Sequence, residues 1–106
     1  MSREKKSYGY ILFNEINGTL YTGVTSDLIK RVWQHKEGFV KNFTNKYDVD
    51  KLGYYEVFGD IKLAIEREKQ IKSGSRKKKL ELIEKNNPHW VDLYYDITGS
   101  DSGLLR

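Results

Sequence analysis

The chain has 106 residues and a net charge of +4, with 38% hydrophobic and 32% charged residues; that length fits one domain, and two Trp, eight Tyr and four Phe supply a modest core, which excludes disorder over most of the chain. Its longest apolar run, Tyr10-Ile11-Leu12-Phe13, is far short of the roughly 20 residues that span a bilayer, and no apolar stretch follows the polar Met1-Ser2-Arg3-Glu4-Lys5-Lys6, so no secretory signal is expected. The lack of Cys excludes disulfides, thiolate zinc sites and a thiol nucleophile, so a cytoplasmic protein is expected.

In chain order, Tyr8–Asn14 and Leu20–Thr25 are aromatic and aliphatic and flank Asn17-Gly18, a pair that tolerates positive φ, so they read as a β-hairpin. Asp27 suits a helix N-cap, and Leu28, Ile29, Val32 and Trp33 follow at helical spacing. Gly38 and the polar stretch Lys41–Asp50 read as a loop, and Lys51–Phe58 as a third strand. Gly59-Asp60 ends that strand and caps a second helix with apolar positions Ile61, Ala64, Ile65 and Ile71. Ser73-Gly74-Ser75 ends this helix and caps a third, which carries Leu80, Leu82 and Ile83 and stops at Asn86-Asn87-Pro88. The pattern predicts an α/β (α+β) fold, a short three-stranded mixed or antiparallel sheet flanked by three or more helices. Residues 1–97 form the expected domain; 98–106, rich in Gly, Ser and Asp with an isolated Leu104-Leu105, form an expected disordered tail.

Three features of this skeleton bear on chemistry. Whether the hairpin loop has two residues or four, Tyr10, Tyr21 and Gly23 share one sheet face, because strand sides alternate. In the four-residue case Gly23 lies opposite Tyr10 with Tyr21 diagonal to it, leaving a gap beside a phenol; alternatively the tyrosines only cover the sheet and Gly23 marks a bulge. Arg31 and His35 lie four apart on one helix face, a phosphate-matching fork beside a proton relay, or an ordinary surface pair. Glu68 falls inside or at the edge of the apolar stripe of its helix, where a buried carboxylate needs a partner such as Lys72 at i+4, or a Mg²⁺ ion that takes few protein ligands; alternatively it extends past its neighbours to water.

Charge is concentrated as well. Lys62–Lys79 holds eight cations against Glu66 and Glu68, an excess larger than that of the whole chain, and points to a polyanionic partner. Arg76-Lys77-Lys78-Lys79 opens a helix, where cations oppose the dipole, so contact with a phosphate backbone accounts for it better than helix stability does; the alternative is a solvated charge run.

These residues together resemble the GIY-YIG nuclease superfamily, and within it the small single-domain predicted endonucleases. The resemblance runs from Tyr8 to Leu93. Its first motif stands as Tyr8-Gly9-Tyr10 and its second as Tyr21-Thr22-Gly23. The stretch from Val24 to Arg31, the helix from Ala64 to Lys72 and the ending Asn87-Pro88-His89-Trp90-Val91-Asp92-Leu93 follow in the family's order. The resemblance implies a metal-dependent endonuclease acting on DNA. Tyr10 would be the general base or would orient the attacking water, and Tyr21 would support it. Arg31 would hold the phosphate, His35 would assist with the proton or the phosphate, and Glu68 would hold Mg²⁺ or Mn²⁺. Lys69, Lys72, Arg76, Lys77, Lys78 and Lys79 would contact nucleic acid. Gly9-Tyr10 departs from the usual Ile-Tyr core, Val24 and Thr25 stand where some members carry Lys, and Glu66 is an alternative to Glu68. The rival expectations are a non-catalytic nucleic-acid-binding module on the same scaffold and a protein-interaction patch of Trp33, Trp90, Tyr94 and Tyr95.

Overall fold

A computed structural model describes residues 5–39 and 46–99. Among them, β1 (Ser7–Phe13) and β2 (Leu20–Thr25) form the hairpin, and α1 (Leu28–Lys36) leads to β3 (Lys51–Phe58). Helices α2 (Ile61–Ser73), α3 (Arg76–Asn86) and α4 (Tyr94–Thr98) follow. Each of the first three helices begins on the cap that its sequence offers. Asp27 accepts from the Lys30 amide at 3.2 Å, Asp60 from Lys62 at 2.9 Å and Ser75 from Lys78 at 3.1 Å. Such a cap typically contributes about 1 kcal/mol.

The sheet has the order β2-β1-β3 and is antiparallel throughout, so the mixed alternative does not occur. The hairpin takes the longer of the two loops: Tyr10 faces Gly23, Leu12 faces Tyr21 and Phe13 faces Leu20. Asn17 adopts φ 57°, Gly18 donates to the Glu15 carbonyl at 2.8 Å, and the Asn14 side chain accepts from the Thr19 amide at 2.8 Å. A bulge does exist, but at Gly53 rather than Gly23. Pairing steps from Ile11 opposite Tyr54 to Leu12 opposite Leu52, which leaves Gly53 as the extra residue.

Alternation along β1 divides the core into two layers. Tyr10 and Leu12 pack with Leu28 and Val32 of α1, with Val49 and Leu52, and with Tyr94 and Ile97 of α4. Ile11 and Phe13 pack on the other face with Ile71 of α2, Ile83 of α3, and Trp90. None of the described helices is long and apolar enough to cross a membrane.

Two expectations are corrected, and a loop residue joins the core. Val49, read as part of a polar loop, is fully buried. Thr98, assigned to the tail, closes α4, and Gly99 caps it with φ 74°; the remaining tail residues, 100–106, lie outside the described residues, as do 40–45 of the loop. Trp90, offered as part of an exposed patch, is buried with its ring edge-on to Phe13 at 5.2 Å and its indole N–H donating to Glu84 at 3.1 Å.

Candidate active site

The register of the hairpin builds the first part of the site. Tyr10 is fully buried on β1, and its phenol lies over Gly23 of the edge strand β2. The Tyr21 ring is 6.4 Å away, tilted by 48°. Among the described residues the Tyr10 hydroxyl has no hydrogen-bond partner. Leaving such a group unpaired typically costs about 1–3 kcal/mol, so the position is built for something other than stability. Burial and the neighbouring Tyr21 push its pKa well above the ordinary phenol value, and Glu68 adds to this. The Arg31 guanidinium opposes them by charge and by proximity, without completing a hydrogen bond of ordinary geometry.

Helix α1 supplies the second part. Leu28 and Val32 anchor its inner face, and that anchoring turns Arg31 and His35 toward the tyrosines. His35 is buried, its ring 5.5 Å from Tyr21 and 6.4 Å from Tyr10. Burial and the charge of Arg31 hold its pKa down to about 4, against the opposing pull of Asp50. It is therefore uncharged at neutral pH. Arg31 is half-buried and forms no ion pair with a carboxylate among the described residues, so its fork of donors is available to an anion.

Helix α2 supplies the acid. Of the two candidate carboxylates, Glu66 is exposed, whereas Glu68 is buried and paired with Lys72 at 2.6 Å. α2 packs against β1 and β2 on the layer opposite α1, yet Glu68 is within electrostatic reach of the Tyr10 hydroxyl, and Lys72 of Tyr21. Among the described residues no three His, Asp or Glu side chains cluster as a metal cage. A lone hard carboxylate fits a cation that keeps most of its waters and shares phosphate oxygens with a substrate; it does not fit one held by protein alone.

The six expected nucleic-acid-binding residues do not behave as one group. Lys72 alone is joined to the catalytic candidates, through Glu68. Lys69, Lys77 and Lys78 are exposed. Arg76 Nη2 donates to the Asn17 and Gly18 carbonyls at 2.7 Å each, so that it clasps the hairpin turn. Lys78 and Lys79 line a groove between α2 and α3 with Arg67 and Lys85. Asp50, whose charge acts on His35, was not foreseen; it lies in a loop with no motif to mark it.

Comparisons with known proteins show the family of the domain and its fold. A family model for the GIY-YIG catalytic domain matches residues 6–81. A UPF0213 protein of Staphylococcus saprophyticus is 40% identical over 78 residues, covering 74% of this chain and 94% of that one. A UPF0213 protein of Haloquadratum walsbyi is 36% identical over 78 residues, covering 73% and 88%. The solution NMR structure of a UPF0213 protein from Bacillus halodurans superposes with a TM-score of 0.51 at 27% identity, covering 85% of this chain and 95% of that one.

Proposed function

The chain belongs to the GIY-YIG catalytic-domain family, a nuclease superfamily, and on that premise we propose that it is a metal-dependent endonuclease that hydrolyses phosphodiester bonds in DNA. One observation carries the reading: a buried phenol that completes no hydrogen bond of ordinary geometry among the described residues sits over a residue that lacks a β-carbon, under the charge of an arginine that forms no ion pair among the described residues.

The chemistry follows from those groups. Arg31 holds the scissile phosphate and stabilises the charge that builds on its oxygens. A water oxygen bonds to phosphorus as the bond to the leaving sugar oxygen breaks. Tyr10 keeps its proton at neutral pH and so orients the water by hydrogen bonding, with Tyr21 supporting its ring. His35, uncharged and beside both tyrosine rings, would assist with the proton of the water or with the phosphate. Glu68 would hold Mg²⁺ or Mn²⁺, which when bound supplies Lewis-acid stabilisation of the phosphate and the leaving oxygen. The exposed lysines of α2 and α3 would contact the backbone without reading sequence, which gives weak, salt-sensitive binding.

Nicking of supercoiled plasmid with Mg²⁺ or Mn²⁺ tests the proposal. Glu68→Ala is expected to abolish nicking while still binding DNA in EDTA. A Glu68→Ala protein that nicks as fast as its parent sinks the mechanism; salt-sensitive binding with no nicking by the parent in either metal favours a non-catalytic nucleic-acid-binding module.

A further inference from the structure

Glu68 and Lys72 stand one helical turn apart on α2, and the two ends of their ion pair are unequally placed. The Glu68 side chain is 10% exposed and that of Lys72 is 56% exposed. The acid is therefore fixed by packing, while the ammonium ends a long stem open to water. An ion pair serving helix stability alone would have no reason to bury its acid, yet the Glu68 carboxylate is buried and its charge is felt at Tyr10, as that of Lys72 is at Tyr21. Among the described residues no other cation pairs with Glu68.

We propose that Lys72 is an exchangeable internal counter-ion: it occupies the Glu68 carboxylate in the metal-free protein, yields it to an incoming divalent cation, and is thereby released to the phosphate backbone of the substrate. This rests on the proposed role of Glu68 as a cation ligand. Two cations in contact with one nearly buried carboxylate repel each other, so the stem that can reach water is the one that moves. Tyr21, within electrostatic reach of Lys72, adjoins Tyr10, on which the charge of Arg31 acts, and phosphate would lie between them. Cation and nucleic acid then bind cooperatively, because the first frees a positive charge for the second.

The test uses the full chain, its Lys72→Met and Lys69→Met variants, and a short DNA duplex titrated across salt in EDTA and in Ca²⁺. In EDTA the parent and Lys72→Met are expected to show the same salt dependence. In Ca²⁺ the parent should exceed Lys72→Met by one phosphate contact, a slope difference of about 0.9. Lys69→Met, lacking a cation that is free throughout, should lower the slope equally in both. Without DNA, Mn²⁺ titration followed by electron paramagnetic resonance should show Lys72→Met binding about tenfold more tightly, as removal of a competitor worth 1.4 kcal/mol implies. Unchanged or weaker Mn²⁺ affinity in Lys72→Met, with Glu68→Gln losing the ion, overturns the exchange and leaves Glu68 as the ligand. Mn²⁺ binding by Glu68→Gln equal to that of the parent overturns the ligand assignment itself, and the exchange with it.

Discussion

Gly23 lies directly opposite Tyr10, and the phenol fills the space that a side chain at Gly23 would need. A β-carbon there would stand 2.5 Å from Tyr10 Oη and 2.6 Å from Cζ. Glycine is required at this place for room, since its φ is not positive. Because Tyr10 is fully buried, the ring has nowhere ready to retreat. Gly23→Ala is expected to destabilise the fold by about 1–3 kcal/mol, the usual cost of overpacking. It should also lower plasmid nicking by more than tenfold while binding in EDTA persists. Adding Tyr10→Phe should not restore stability, because the ring carbon Cζ clashes as badly as the oxygen. Thermal melts and nicking rates decide the matter: an unshifted Gly23→Ala melt would mean that the ring is not seated as described.

The second prediction concerns His35. Its folded pKa of about 4 lies below the value near 6.5 of an unfolded histidine. As pH falls the unfolded chain takes up the proton first. The contribution of His35 is therefore complete above about pH 6.5, is lost between 6.5 and 4, and changes no further below that. The loss amounts to about 3 kcal/mol. Urea unfolding from pH 7 to 4 should show this slope in the parent and much less of it in His35→Gln. If His35 receives the proton of the attacking water, the acid limb of the nicking rate should fall below pH 5, since the imidazole stays uncharged until then. An acid limb centred near 6.5 would contradict the depressed pKa.

What was legible in the sequence was local chemistry. Asp27, Asp60 and Ser75 each cap a helix with their own side chain, so the elements they begin could be read from neighbours alone. The period-two pattern placed Tyr10, Tyr21 and Gly23 on one face before the register was known. Glu68 was legible as an acid in an apolar stripe, and its burial followed. The rest depended on tertiary packing. Val49 sits in a polar segment and is buried only because Tyr10, Leu12 and α1 close over it. α4 is five residues long, too short to show a period. The basic run at the start of α3 was visible as charge, but its division between the hairpin turn and the α2–α3 groove arises from contacts between distant segments.

Arg76 turns that division into a third prediction. Its two hydrogen bonds tie α3 to the β1–β2 turn, and through the turn to the strand that carries Tyr21 and Gly23. Arg76→Ala is expected to lower stability by about 1 kcal/mol, given two exposed bonds to carbonyls. Lys77→Ala, which removes an exposed cation without such bonds, should leave the melting temperature unchanged and reduce only the salt dependence of DNA binding. Equal melting temperatures for the two variants would show that the clasp does not hold the turn.

The last prediction concerns the join between α1 and the C-terminal segment. Asp92 Oδ2 pairs with Lys36 at 2.5 Å, while Oδ1 accepts from the amides of Leu52 at 3.0 Å and Tyr94 at 3.1 Å. Lys36 also lies over the Tyr94 and Tyr95 rings, at 5.1 and 5.3 Å from their centroids. Both side chains of the pair are nearly buried, at 15% and 16% exposure, so removing one charge strands the other. Asp92→Ala is expected to cost about 3 kcal/mol. Asp92→Asn, which keeps an acceptor for the two amides, should cost about half as much. Lys36→Met with Asp92→Asn should be less destabilised than the two changes summed, because the stranded charge is then gone. Lys36 adjoins His35, so a loosened α1 terminus should also raise the His35 pKa toward 6.5, readable by NMR titration. If Asp92→Ala and Asp92→Asn unfold alike and the imidazole titration does not move, Asp92 does not set the position of α1.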